Sequence, residues 1–201
     1  MSAPSSPLPD DSIKRLLPWL VAVAFFMQSL DTTILNTAVP AIAQAMDVTP
    51  LDVKSVLASY TLSLAVFIPV SGWMADRFGT RRVFVAAIAV FCLGSLLCGL
   101  ATSLEMLVAC RVLQGAGGAM MMPVGRMTLA GPMIGPVAGG AIVHWLHWSI
   151  VFFVNIPVGL VGLYFVGRYL PDYREEKTHP LDLLGLGLFG GGIALLSYVL
   201  E

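Results

Sequence analysis

Charged side chains are scarce in this chain: they make up 11% of its 201 residues, against 57% hydrophobic ones, and the mean hydropathy is +0.85. A soluble domain carries about 25% charged residues, because a water-facing surface has to be covered. The shortage excludes an ordinary soluble domain. A bilayer resolves it, since lipid-facing helices need no polar face. The net charge of −1 supplies no basic excess for a nucleic-acid partner and no acidic run for a disordered tail. Cysteine is sparse too: Cys92, Cys98 and Cys110 sit in apolar stretches without disulfide or metal spacing, and read as small buried hydrophobic side chains. Phosphate-binding loops, nucleophile elbows, zinc-type His-Glu patterns and dinucleotide fingerprints are all missing. ATP-driven work and soluble enzymology therefore lack support, and no cofactor or metal is expected.

What the chain does have is long apolar runs. A spanning helix needs about 20 mostly apolar residues. On that measure spans fall at 16–39, 55–75, 83–103, 104–125, 151–170 and 182–201, with a shorter stretch, 131–148, fifth in order. No long run alternates polar and apolar residues, which argues against a β-barrel. The fold class expected is an all-α membrane protein with brief, antiparallel connections. It divides into a cytoplasmic tail (1–15), an N-terminal transmembrane bundle (16–170), a cytoplasmic loop (171–181) and a truncated seventh span (182–201). Lys14 and Arg15 before an apolar run resemble a signal peptide, but the run continues to about Val39 and more spans follow, so cleavage is not expected.

Orientation follows from the basic residues. With the N-terminus inside, Lys14, Arg15, Arg77, Arg81, Arg82, Arg126, Arg168, Arg174 and Lys177 fall on the cytoplasmic side, Lys54 falls outside and Arg111 lies within a span. That is the positive-inside bias. One junction does not fit. Gly131-Pro132 opens the fifth stretch almost directly after Gly125-Arg126, and the run to Trp145 covers only ~22 Å at helical rise, short of a ~30 Å core. The expectation is that a cytoplasmic loop and the first half of span five are absent between Ala130 and Gly131; the alternative is a genuine, strained hairpin.

Several motifs carry chemistry. After span two comes Gly72-Trp73-Met74-Ala75-Asp76-Arg77-Phe78-Gly79-Thr80-Arg81-Arg82. Gly72 permits close helix approach, Gly79 a tight turn, and Asp76 can neutralise nearby arginines or cap a helix. A basic loop alone would not explain that spacing. Span four carries Arg111, which costs ~2.5–3.5 kcal/mol in hydrocarbon and so faces a cavity or partner, unless it snorkels outward. Gln114 stands three residues on, on the same face. Span one carries Gln28-Ser29-Leu30-Asp31-Thr32-Thr33-Ile34-Leu35-Asn36, and a membrane-embedded Asp31 is a proton-carrier candidate, with a structural hydrogen-bonding carboxylate as the alternative. Asp31 lies ~22 Å from the inner end of span one and Arg111 ~20 Å from that of span four, so the two could pair if those spans are neighbours. The fifth stretch, Gly131-Pro132-Met133-Ile134-Gly135-Pro136-Val137-Ala138-Gly139-Gly140, combines a small-residue packing stripe with two helix-bending prolines. His144 and His147 flank Trp145 and Trp148 near the outer interface, where aromatic anchoring is the plain explanation.

These motifs together resemble the major facilitator superfamily. The loop after span two (Gly72, Asp76, Arg77, Gly79, Arg81, Arg82) resembles its motif A, a gating loop, and the Arg111–Gln114 stretch its motif B, whose arginine is implicated in proton coupling. The span-one stretch resembles a leucine-aspartate-x-threonine signature of the fourteen-span drug:proton antiporters. Gly131, Pro132, Gly135, Pro136, Gly139 and Gly140 resemble motif C, characteristic of antiporters. The resemblance implies an N-terminal six-helix bundle of 3+3 inverted repeats in a bacterial inner membrane, with Asp31 and Arg111 on a central cavity. It implies proton coupling through Asp31, Arg111 and Gln114, and a substrate cavity that includes Gln28 and Asn36. The activity implied is proton-coupled efflux of small, drug-like or amphipathic molecules by alternating access. Its partners would be substrate, protons, the lipid bilayer and a C-terminal bundle missing here, without which the 201 residues are not expected to transport. The rival readings are a nutrient-importing symporter or uniporter, and a membrane module without transport activity.

Overall fold

The computed structural model describes residues 11–121, 144–170 and 182–200, all the regular structure of which is helical. The junction at Ala130–Gly131, the motif C residues and the 171–181 loop lie outside the described residues. The helices are α1 (Asp11–Met46), α2 (Lys54–Phe78), α3 (Thr80–Gly99), α4 (Leu104–Met121), α5 (Ile150–Phe153), α6 (Asn155–Tyr169) and α7 (Leu183–Leu200). Spans one to four are thus α1 to α4, span six is α5 with α6, and span seven is α7.

Some boundaries differ from the apolar runs. α1 has 36 residues, ~54 Å at helical rise, so it projects beyond a ~30 Å hydrocarbon core. Hydropathy marks only the part in lipid, which is why the expected span is shorter. α2 to α3 turn at Gly79, whose φ of 95° is open to glycine. No side chain caps α3 there, so Asp76 does not serve as its cap. The turn that leads into α2 instead closes through reciprocal Thr49–Asp52 hydrogen bonds, as in a capping box, while α2 itself has no side-chain cap. The Asp52 side chain accepts from the Thr49 backbone N–H at 2.9 Å, and the Asp52 N–H donates to the Thr49 hydroxyl at 3.3 Å. Span six is parted at Val154, which keeps helical angles. Pro157 cannot supply the N–H that would close on Phe153, so the ladder is interrupted without a change of course. Among the described residues, Lys54–Phe78, Thr80–Gly99 and Ile150–Tyr169 are long and apolar enough to cross a membrane.

α4 packs along both α2 and α3, α6 against α1 and α3, and α7 against α2. Glycine makes the α4 contacts possible. A Cβ on Gly115 would stand 2.8 Å from the Tyr60 carbonyl oxygen of α2, and one on Gly117 would stand 2.6 Å from the Phe91 nitrogen of α3. Gly72 behaves otherwise: nothing described lies within 4 Å of its Cβ position, so it mediates no close approach within this part of the chain.

Two apolar clusters fill the bundle. One holds Leu30, Ile34, Cys98, Leu107, Val151 and Phe152; the other holds Met27, Tyr60, Phe84, Phe91, Met121 and Val166. α1, α3, α4 and span six each pass from one cluster to the other. Each carries a polar residue where it crosses, and those residues form the site.

Candidate functional site

Asp31, Ser95, Arg111, Gln114 and Asn155 meet in that layer, all at most 2% exposed. Arg111 Nη1 donates to Asp31 Oδ2 at 2.5 Å and to Gln114 Oε1 at 2.6 Å. Asp31 Oδ1 accepts from Gln114 Nε2 at 2.9 Å and from Asn155 Nδ2 at 2.8 Å. Both amides also donate to Ser95 Oγ, at 3.2 and 3.1 Å, and the Ser95 hydroxyl donates to the Phe152 carbonyl at 2.8 Å. The Cys98 thiol approaches Gln114 Oε1 at 3.7 Å. A hydroxyl has one proton and two lone pairs, so Ser95 is used in full. Because its proton goes to Phe152, both amides must turn their NH2 groups toward it and toward Asp31. Every contact on Asp31 is therefore a donor, the arrangement that suits a carboxylate.

The Arg111 guanidinium lies between two rings, 4.9 Å from the Tyr60 centroid and 5.1 Å from that of Phe152. Cation–π attraction is strongest in such a desolvated setting. The Nε of Arg111 and the hydroxyl of Tyr60 are buried without a hydrogen-bond partner. Arg111 does not snorkel outward: its side chain is 1% exposed and directed into the bundle.

The pairing inferred from the depths of Asp31 and Arg111 is thus present in the structure. Their surroundings differ from what the resemblance implied. Both are buried rather than open to a central cavity, and among the described residues α3 and span six close over them with Ser95 and Asn155. Gln28 is equally enclosed, donating to the Gly118 carbonyl at 2.6 Å and so tying α1 to α4. Asn36 is exposed, bonded to the Thr32 carbonyl at 2.9 Å. It lines an open cleft of about 470 Å³ with Val39, Pro40, Pro50, Leu51, Lys54 and Leu57. Thr32, Thr33 and Thr37 bond carbonyls of their own helix, as hydroxyls in hydrocarbon must.

The motif A loop lies apart from this cluster. Arg77 is placed over Trp73, at 5.4 Å, and over Phe78, at 5.8 Å. Arg81 donates to the Gly167 carbonyl near the end of α6, where the carbonyl end of a helix favours a cation. Asp76 and Arg82 are exposed. At the opposite end of the bundle Trp145 is 80% exposed, as an interfacial anchor would be, but Trp148 is 7% exposed and packs edge-on against Phe152. Neither Ser95 nor Asn155 has a place in the site as read from the sequence. A lone polar side chain at matching depth in an apolar span was the available signal.

Comparison with known proteins gives three findings. The profile of the Major Facilitator Superfamily matches residues 21–131. The putative multidrug resistance protein MdtD of Salmonella paratyphi B is 44% identical over 215 residues, as is that of Salmonella typhimurium, covering 96% of this chain and 45% of the relative. The chain thus spans under half the length of these relatives. The aligned 215 residues also exceed the 201 of this chain, so within the matched region the relatives carry residues that it lacks. The crystal structure of the human organic anion transporter MFSD10 aligns with a TM-score of 0.61 at 16% identity, covering 96% of this chain and 55% of that one, a likeness of fold.

Proposed function

The chain belongs to the major facilitator superfamily of membrane transporters, which are not enzymes, and from that premise we propose that it is the N-terminal half of a proton-coupled exporter. Its cargo would be small, drug-like or amphipathic molecules, moved outward by alternating access as protons move in across a bacterial inner membrane. The N-terminus faces the cytoplasm in this reading.

The observation that carries it is the buried Asp31–Arg111 pair with its all-donor surroundings. A buried ion pair seldom improves stability over apolar packing, so its retention in hydrocarbon calls for a task. A proton on Asp31 removes the counter-charge of Arg111 and changes which contacts hold α1 to α4. That is a two-state element of the kind a transport cycle needs. The name of the relatives supports multidrug cargo. Motif C, read from Gly131 to Gly140, supports export over import.

The test uses the full-length transporter that contains this half, in liposomes loaded with a fluorescent drug-like cation. An imposed proton gradient drives expulsion of the dye, and Asp31→Asn abolishes that expulsion while the protein still folds. Undiminished exchange in the variant, or gradient-driven uptake of a nutrient in place of expulsion, overturns the reading.

A further inference from the structure

We propose that Asn155 is the positioning residue that registers the charge state of Asp31 and passes it, through Ser95, to spans six and three. This rests on the proton-coupling role of Asp31 given above.

Asp31 Oδ1 is contacted by two amide groups, both through N–H. When a proton settles on Asp31, an acceptor becomes an O–H donor facing donors only. One amide has to turn over and present its oxygen. Gln114 is poorly placed to do so. Its Oε1 already accepts from Arg111 Nη1 and the Cys98 thiol, and turning over would point its NH2 at the guanidinium. Asn155 has no such constraint: the hydrogen bonds of its side chain among the described residues run to Asp31 and Ser95 alone. Turned over, Asn155 accepts the Asp31 O–H through its carbonyl oxygen. Ser95 then faces an acceptor where it faced a donor, and its proton is free to leave the Phe152 carbonyl for the Asn155 oxygen. No bond to carbon changes; the proton that arrives stays on Asp31, the Asn155–Asp31 and Asn155–Ser95 hydrogen bonds change direction, and the one from Ser95 to the Phe152 carbonyl is released.

The local chain suits this role. Asn155 begins α6 directly after the interruption at Val154, and Phe152, whose carbonyl Ser95 holds, lies two residues before that interruption. Phe152 is also one of the two rings on Arg111. A change of hydrogen-bond direction at Ser95 therefore acts on the same turn that holds the guanidinium. The other titratable groups facing Asp31 are Arg111 from α4, Tyr60 from α2 and Cys98 from α3; Gln114, Asn155 and Ser95 are the neutral members of the ring around it.

Two measurements test the proposal. In the full-length transporter, Asn155→Leu keeps size and removes both donors. Gradient-driven expulsion falls about tenfold or more, the loss of one hydrogen bond to a charged group, while substrate-for-substrate exchange, which moves no net proton, is retained. Ser95→Ala shows the same split with a smaller loss. Equal loss of both fluxes in Asn155→Leu overturns the proposal, because a merely structural residue acts on both. In this chain in lipid, the infrared carboxylate stretch that vanishes in Asp31→Asn belongs to Asp31. Asn155→Leu shifts that band; an unmoved band overturns the proposal. A parent transporter without gradient-driven expulsion overturns the function itself, a result read before any Asn155 variant is made.

Discussion

Arg111 heads the fully buried side chains among the described residues, and its charge is tolerable only because four helices contribute to holding it. Removing one member of a buried pair typically costs about 3–5 kcal/mol, because the other is left charged and unpaired. Arg111→Met therefore lowers stability by that order in thermal unfolding in detergent. Adding Asp31→Asn to it recovers a large part of the loss, which a double-mutant cycle reads directly. Asp31→Asn alone costs less, since an amide oxygen still accepts from Nη1 and the two rings still cover the guanidinium. At this scale the sequence was informative for Asp31, Arg111 and Gln114, because charge in an apolar run is conspicuous and helical rise sets its depth. For Ser95 and Asn155 it offered only the weaker signal of a lone polar side chain in an apolar span. Serine and asparagine are cheap enough in a span to need no special account, and only the tertiary arrangement shows that both face one carboxylate. Gln28 was over-read for the converse reason: a polar side chain in a transporter span invites a substrate, whereas this one closes a helix contact through the Gly118 carbonyl.

Among the helices, α4 depends most on what it lacks. Gly117→Ala would set a Cβ 2.6 Å from the Phe91 backbone and 2.9 Å from the Ala87 carbonyl, so α3 and α4 must part. Overpacking of this kind costs about 1–3 kcal/mol, and unfolding temperature falls accordingly. Gly167→Ala meets nothing within 4 Å and leaves it unchanged. The glycine run of α4 was legible as a run, but which glycine meets which helix was not, since that depends on crossing geometry that no local pattern records. The box-like turn before α2 was legible in principle as Thr49-Pro50-Leu51-Asp52. Hydrogen bonds from the Thr49 hydroxyl, first, and the Thr49 backbone N–H hold the Asp52 carboxyl below its ordinary value. A lowered folded value means the contribution is present at neutral pH and is lost as pH falls through the acid range below that ordinary value. Thr49→Val removes the hydroxyl and keeps the backbone N–H, so it reduces this acid-side dependence in the unfolding curve without abolishing it.

On the scale of the whole molecule, the basic residues give an orientation that amine labelling can test. The three lysines are Lys14, Lys54 and Lys177, and only Lys54 falls outside by the positive-inside count. A membrane-impermeant amine reagent on intact cells modifies Lys54 alone; modification of Lys14 or Lys177 reverses the orientation. The fifth span presents a sharper question. The run from Gly131 to Trp145 is too short for the core at helical rise, and the relatives carry extra residues within the matched region. Their excess is where a loop and half a helix could be accommodated, and Ala130–Gly131 is the one junction in this chain where the spacing of apolar runs demands them. Inserting there the corresponding residues of a Salmonella MdtD relative completes a span, and the apolar surface it covers raises stability. Unfolding temperature then rises by roughly 2–4 °C for each kcal/mol recovered. The same insertion in the 171–181 loop, where the spacing of the apolar runs calls for no extra residues, brings no gain. Should the insertion at Ala130–Gly131 leave the unfolding temperature unchanged or lower it, the short hairpin is the native form of this chain, and the bilayer rather than the protein makes up the missing length.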